Sequence, residues 1–312
     1  METKPGAATS PWPRRLATVV AAATLILIYM GAKVTSTGSG MAVPDWPTHQ
    51  GYWFLPFDRW NGPVGIETAH RVAGQIVGFL AISLAVVFFV KETGTRKWLG
   101  LVALLLVIGQ GVLGALRVVD IDPRLAPVHG CLAQAVFAFM ASLVLVTGRG
   151  WREASPVTSD HARSLALLAW VTAGAAYAQV VLGALFRHAL VLSIASHGAF
   201  AFAVMALAVV LTVKLKRAHP DRAWPRKVAK LLHAFLGTQI VLGIVAWQLR
   251  GALGETPIDV KIVLVGLHLV VSALVLGAAV SLALAISRDV VPAGEKVATG
   301  TPSERQLVGG AS

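Results

Sequence analysis

Residues 67–90 read ETAHRVAGQIVGFLAISLAVVFFV, so a glutamate, a histidine and an arginine stand directly before a long apolar run. Ionisable groups inside a membrane cost ~2.5–3.5 kcal/mol each near the bilayer centre, and they therefore mark sites. Histidine recurs in three further apolar runs, as His129, His197 and His268. The first basic residue at the far end of each run lies 21 positions after His70, 20 after His129, 17 after His197 and 20 after His268. This is ~25–32 Å of helix, which predicts four histidines at one depth near one membrane face.

The composition excludes a soluble globular domain. The chain has 312 residues, of which 56% are hydrophobic and 13% charged, and its mean hydropathy is +0.71. Such a composition is typical of a polytopic membrane protein. The net charge of +12 comes from basic residues in short loops between apolar runs, without the aromatic-basic patches of a nucleic-acid binder. The single cysteine, Cys131, lies in an apolar run, which excludes an intrachain disulfide.

The apolar runs predict an all-α fold with eight transmembrane helices. Their predicted ranges are 16–32, 68–90, 98–119, 126–147, 164–186, 190–213, 228–250 and 260–287. The first run also resembles a signal peptide, but no Ala-x-Ala cleavage pattern follows it, which favours an uncleaved helix. With both termini in the cytoplasm, 19 of the 27 Lys and Arg residues lie on the cytoplasmic side. This bias predicts a cell-membrane protein whose four histidines lie at the extracytoplasmic ends of their helices.

An internal repeat divides the chain. The segments QGVLGAL, QVVLGAL and QIVLGIV begin at Gln110, Gln179 and Gln239, in the third, fifth and seventh predicted helices. We therefore expect two pseudo-symmetric four-helix halves in the same orientation, 1–150 and 151–312, the second ending in a disordered tail at 289–312. The glycines of the repeated segments suit close contact between helices.

The four histidines favour haem over zinc. Within each half, His70 would face His129 and His197 would face His268 across a four-helix bundle. Two opposed neutral imidazoles without a cysteine or a carboxylate pair suit the axial positions of haem iron. Five basic residues near the same face are candidates for haem propionate contacts or for snorkelling to the interface: Arg71, Arg117, Arg187, Arg250 and Lys261. His188 lies farther out and is the alternative ligand to His197.

Three motifs together resemble the haem A synthase family. They are TGSGMAVPDWP at 37–47, the Glu-x-x-His-Arg element at 67–71, and the Gln-Gly-x-Leu-Gly segment at 110–114 that leads to His129. The resemblance extends over all eight predicted helices. Members of this family oxidise haem O to haem A for cytochrome oxidase.

The resemblance implies an oxidoreductase with two haem sites. His70 and His129 would hold the substrate haem O, and His197 and His268 would hold a haem b cofactor. The implied partners are haem O itself, a haem O synthase that supplies it, and a second copy of the chain in a homo-oligomer. The reaction would convert a haem methyl group to a formyl group through an alcohol.

The sequence departs from the family pattern in its second half. Many members repeat the TGSG…PDWP loop between their fifth and sixth helices, whereas here almost no loop separates Phe186 from His197. Gly198 follows His197 where an arginine is common. The chain also lacks the outer-loop cysteine pair of some members.

Glu67 is the predicted catalytic base, because it lies one helical turn before His70 and beside an apolar pocket, which suits proton transfer near neutral pH. Its alternative role is that of an acid near a helix N-terminus. Asp45 is a candidate lid residue or a structural turn residue. Two other classes stay open: a di-haem electron-transfer cytochrome without chemistry of its own, and a transporter, for which no broken or charged mid-membrane helix is evident.

Overall fold

The computed structural model describes residues 10–119, 124–188, 193–251 and 258–293. Nine α-helices lie within these residues: α1 (Trp12–Ser36), α2 (Gly62–Lys91), α3 (Leu99–Val119), α4 (Leu125–Val146), the short α5 (Arg149–Glu153), α6 (Ala162–Arg187), α7 (Ile194–Ala218), α8 (Ala223–Gly251) and α9 (Ile258–Asp289). All except α5 are long and apolar enough to cross a membrane, α3 together with the 3₁₀ turn Gly94–Trp98 before it. The predicted all-α polytopic architecture with eight spans is confirmed.

Helix α2 begins six residues before its predicted start at residue 68. Gly62 adopts a positive φ of 51°, and Pro63 occupies the first turn, where its missing N–H costs nothing. Glu67 therefore lies inside the helix, and its side chain is buried. No acidic residue lies in the first turn of α2, so Glu67 stands just beyond the turn where the helix dipole acts most strongly. Its alternative role as an acid near the helix N-terminus stays a prediction.

The long helices form two rings of four. Helices α1 to α4 contact one another in sequence and α1 closes on α4, and α6 to α9 repeat this pattern with α6 closing on α9. The rings meet where α9 packs against α1 and α4. Ile28, Phe137 and Ala273 form a small apolar cluster at this junction, while each ring has a larger core of its own. Small side chains such as Ala273, which is fully buried, let the helices approach closely.

Consecutive long helices are antiparallel, so all four histidine-bearing helices begin at the same end of the molecule, here called the histidine end. The opposite end is closed by a short parallel pairing of β1 (Val157–Ser159) with β2 (Val290–Pro292). Asp289 thus belongs to α9 and residues 290–292 belong to β2 rather than to the predicted disordered tail, because the strand residues pair with the segment between α5 and α6. The rest of that tail lies outside the described residues.

Candidate functional site

Each of the four histidines packs its imidazole edge against a glycine of the preceding long helix. A methyl group added to Gly31 would lie 3.2 Å from Cε1 of His70, and one added to Gly114 would lie 3.3 Å from Cε1 of His129. The corresponding distances are 2.9 Å between Gly183 and His197 and 3.1 Å between Gly243 and His268. A methyl group on Gly183 would force a shift, and at the other three glycines it would make a contact tighter than ordinary van der Waals contact, so each glycine lets one imidazole approach its helix closely. The repeated glycines are therefore more than helix-contact positions.

The imidazoles form two pairs at the histidine end. His70 lies within electrostatic range of His129, and His268 within that of His197. Nδ1 of His70, His129 and His268 is buried without a hydrogen-bond partner. In the described part of the chain, no three His, Cys, Asp or Glu side chains are grouped closely enough to hold a metal ion by themselves. Two imidazoles per site fit a haem, in which the porphyrin supplies the other iron ligands.

The glutamines of the repeated segments also contact the histidines. No pattern in the sequence predicted these contacts. Nε2 of Gln110 donates to the carbonyl oxygen of His129 at 2.8 Å, and Nε2 of Gln179 donates to that of His197 at 2.9 Å. Nε2 of Gln179 also lies 3.2 Å from Nδ1 of His197, and Nε2 of Gln239 lies 3.0 Å from Nε2 of His268. The available signal was the constant four-residue spacing from glutamine to glycine, which places both on one helix face.

Glu67 and Arg71 tie the loop 37–61 to α2. Nε and Nη2 of Arg71 donate to Oε1 of Glu67 at 3.1 and 2.6 Å, and the other oxygen of Glu67 accepts from the Val43 N–H at 2.9 Å. Arg71 also donates to the carbonyl oxygens of Val43 and Asp45, both at 2.6 Å, and of Thr48 at 3.3 Å. With all three of its nitrogens engaged, Arg71 fits the predicted lid contact better than the predicted propionate contact.

Asp45 shapes the turn of this loop. Its carboxylate accepts from the backbone N–H groups of Gln50 and Gly51 at 2.7 and 2.9 Å, and also from the hydroxyl of Thr48. Burial raises the pKa of Asp45, but these hydrogen bonds outweigh burial and hold the pKa at about 2, below its usual 3.8. Within the described contacts, Asp45 occupies the structural turn role that was one of its two predicted alternatives.

Two further arginines approach the histidine pairs. The guanidinium of Arg117 lies over Gly40 of the loop, where a methyl group would be 2.6 Å from Nη2, and it is in electrostatic range of both His70 and His129. Arg187 donates to the hydroxyl of Ser36 at 2.9 Å, while its Nη1 is buried without a partner. An unpaired buried guanidinium N–H is costly, and it suits an anion such as a carboxylate.

The remaining predicted residues lie at the margin of the site. His188 is the residue that ends α6, and its backbone N–H donates to the carbonyl of Ala184 at 3.0 Å. Phe186 stacks on His197 with 6.3 Å between ring centroids, which places His197 rather than His188 among the glycine, glutamine and aromatic contacts. Lys261 is engaged with another part of the protein, and the side chain of Arg250 is outside the described residues.

The fold and the site define a class: a polytopic helical membrane protein with two histidine pairs at one end of two four-helix rings. Comparison with known proteins finds similarity to one family and to several individual proteins. Residues 64–194, which extend from the third residue of α2 through α6 to the first residue of α7, match the family described as "Cytochrome oxidase assembly protein".

Individual relatives carry a more specific name. The chain is 33% identical over 175 residues to a "Heme A synthase" of Symbiobacterium thermophilum, covering 54% of this chain and 56% of the relative. It is 32% identical over 148 residues to a "Heme A synthase" of Shouchella clausii, covering 46% and 47%. The chain thus spans about half the length of these relatives. The resemblance to the haem A synthase family is confirmed.

A further relative has a different name. A "Protoheme IX farnesyltransferase 1" of Natronomonas pharaonis is 34% identical to this chain over 137 residues, which cover 44% of this chain and 27% of the relative.

Proposed function

We propose that this protein is a haem A synthase that oxidises a methyl group of haem O to a formyl group through an alcohol. The observation that carries the proposal is the presence of two histidine pairs, with each imidazole against a glycine, in a chain similar to heme A synthases. The conversion adds one oxygen from water and removes four electrons and four protons. A bound haem would pass the four electrons on to an external electron acceptor, while the protein would orient the macrocycle and handle protons.

The loop that covers the first site supports a division of roles. The loop 37–61 is tied over the first ring by Glu67 and Arg71, so His70 and His129 are proposed to hold the substrate haem O under this lid. His197 and His268 are proposed to hold the haem b cofactor in the second ring. The matching ring contacts of α1–α4 and α6–α9 support a division of the chain into two halves.

The propionates of each haem need cationic partners. Arg117 is proposed to bind a propionate of haem O. Its guanidinium lies near the first histidine pair and makes no hydrogen bond within the described part of the chain. Arg187, with its buried and unpaired Nη1, is proposed to bind a propionate of haem b. Charge-assisted hydrogen bonds from guanidinium to carboxylate are among the strongest in proteins.

Glu67 is proposed as the proton acceptor of the reaction. It lies one turn from His70 and inside the lidded site, and its carboxylate is 3% exposed. Its engagement with Arg71 and Val43 gives it a second role as an anchor of the lid. The Glu67→Gln variant described below separates the two roles, because a glutamine oxygen can still accept a hydrogen bond but cannot take up a proton at neutral pH.

Histidine variants test the proposed sites. The purified protein should show a low-spin bis-imidazole haem b spectrum, and His197→Ala or His268→Ala should remove most of it. His70→Ala and His129→Ala should instead abolish binding of haem O and formation of haem A. His233→Ala is the matched control, because His233 is bonded to the Ala229 carbonyl at 2.7 Å, away from the histidine end. Full haem b retention in both second-half variants would reject these ligands and make His188 the next candidate.

A di-haem electron-transfer cytochrome is the second candidate function. It is favoured by the similarity of the two histidine pairs, which lie on glycines in the same manner. Chromatography of haems extracted from membranes with a haem O supply discriminates the two functions: haem A supports the synthase, and unmodified haem O supports the cytochrome.

The proposed partners are a haem O synthase and a second copy of the chain. Supporting the first, part of a protein named as a protoheme farnesyltransferase is similar to this chain. The proposed orientation places both termini in the cytoplasm and the histidine end outside, supported by the bias in Lys and Arg. Cross-linking in membranes tests both contacts, and labelling of a cysteine introduced at exposed Trp53 tests the orientation.

A further inference from the structure

Three of the four histidines are held by a glutamine as well as by a glycine. Within α3, α6 and α8 the glutamine precedes the glycine by four residues, so that both side-chain positions face the same imidazole. The pairs are Gln110 with Gly114, Gln179 with Gly183, and Gln239 with Gly243. The nitrogen of each glutamine amide approaches its histidine within 2.8–3.0 Å.

Unpaired polar atoms remain at these contacts. Oε1 of Gln110, Gln179 and Gln239 is buried without a partner, and so is Nδ1 of His129 and of His268. A buried polar atom without a hydrogen bond costs ~1–3 kcal/mol. An imidazole that binds a metal through one nitrogen carries a proton on the other, and this N–H needs an acceptor. Each site therefore has an acceptor in its glutamine and a donor in its metal-bound histidine.

We propose that Gln110, Gln179 and Gln239 are positioning residues for the haem ligands, an inference that rests on the proposed function. The amide nitrogens of Gln179 and Gln239 face the ring nitrogens in this structure, so each amide would turn over when its histidine binds iron, and its oxygen would then accept the ring N–H. This hydrogen bond fixes the plane of the imidazole and makes it a stronger electron donor.

His70 is the exception. The position four residues before its glycine, Gly31, is occupied by Leu27, and Nδ1 of His70 is buried without a partner. Leucine has no acceptor for an imidazole N–H. His70 would therefore lack the hydrogen bond proposed for the other three ligands, and it would hold iron less firmly than they do. It belongs to the site proposed for the substrate, which must take up one haem and release another, so we expect His70 to be the ligand that gives way in this exchange.

Substitutions at Gln239 test the positioning role. Gln239→Met keeps the side-chain length but removes the acceptor, so haem b affinity should fall ~10–100-fold and the midpoint potential should rise. Gln239→Glu keeps an acceptor oxygen at the same reach, so it should retain haem b with a midpoint potential no higher than that of the unsubstituted protein. Absence of haem from the unsubstituted protein would refute the proposed function. Unchanged affinity and potential in Gln239→Met would refute only the positioning role.

Leu27→Gln tests the exception by supplying the missing glutamine, with Leu27→Met as a control of equal length that lacks an amide. The rate at which haem leaves the first site for excess apomyoglobin should fall ~10-fold in Leu27→Gln and stay unchanged in Leu27→Met. The same rate should rise in Gln110→Met, which loses the acceptor for His129. Equal release rates in Leu27→Gln and Leu27→Met would overturn the assignment of His70 as the detaching ligand.

Discussion

Removal of Arg71 should open the loop 37–61. Its guanidinium makes five hydrogen bonds, two to Glu67 and three to carbonyl oxygens of the loop. The side chains of Arg71 and Glu67 are only 12% and 4% exposed, so Arg71→Met leaves a buried carboxylate without its countercharge. Breaking a buried ion pair in this manner costs ~3–5 kcal/mol. At 1.36 kcal/mol for each factor of ten, the open loop should become at least ~10²-fold more populated.

Trypsin measures this opening, because Arg59 lies in a 3₁₀ turn of the loop, Phe57–Arg59, which must unfold before the protease can bind the chain there. When the loop closes faster than trypsin cuts, the cleavage rate follows the population of the open form. Arg96→Met is the control, since its ion pair with Glu92 lies at the opposite end of α2. Adding Glu67→Gln to Arg71→Met should slow cleavage again, because it removes the carboxylate charge that Arg71→Met leaves without a countercharge. Cleavage of Arg71→Met at Arg59 no faster than in the unsubstituted protein would refute the anchoring role of Arg71.

Three further substitutions separate chemistry, ligand placement and loop stability. Glu67→Gln keeps an acceptor for the Val43 N–H but cannot take up a proton at neutral pH, so haem A formation should fall ~10²–10⁴-fold while both haems stay bound; normal turnover would leave Glu67 as an anchor only. Gly183→Ala places a methyl group 2.9 Å from His197 and should lower haem b content, whereas Gly174→Ala on the same helix meets nothing within 4 Å and should not. Asp45 has a folded-state pKa of about 2, below its usual 3.8, so its contribution to loop stability is present above pH ~4 and is lost as the pH falls towards 2. Hydrogen exchange at the Gln50 and Gly51 amides should follow that pH course, and Asp45→Asn should already lose protection at neutral pH.

The histidine sites were predictable from the sequence because they depend on helical periodicity. Four histidines at one depth in apolar runs can only meet at one end of a bundle, and the structure places them there. The role of Gln110, Gln179 and Gln239 was not predictable, because a four-residue spacing identifies a helix face but not the neighbour that faces it.

The contacts of the loop 37–61 and the pairing of β1 with β2 could not be predicted from the sequence. Arg71 contacts carbonyl oxygens 23 to 28 residues earlier in the chain, in a loop without the periodicity of a helix or strand. The pairing of β1 with β2 joins three-residue segments more than 130 positions apart, and nothing in either segment signals the other. Contacts of this kind depend on the complete fold.

The central claim is that two histidine pairs bind two haems and that the first site converts haem O to haem A. The most direct test is chromatography of the haems extracted from the purified protein after expression with a source of haem O. We expect haem b together with haem A and some of the hydroxymethyl intermediate, and loss of the latter two in His70→Ala. Haem b with only unmodified haem O would contradict the claim and would indicate an electron-transfer cytochrome.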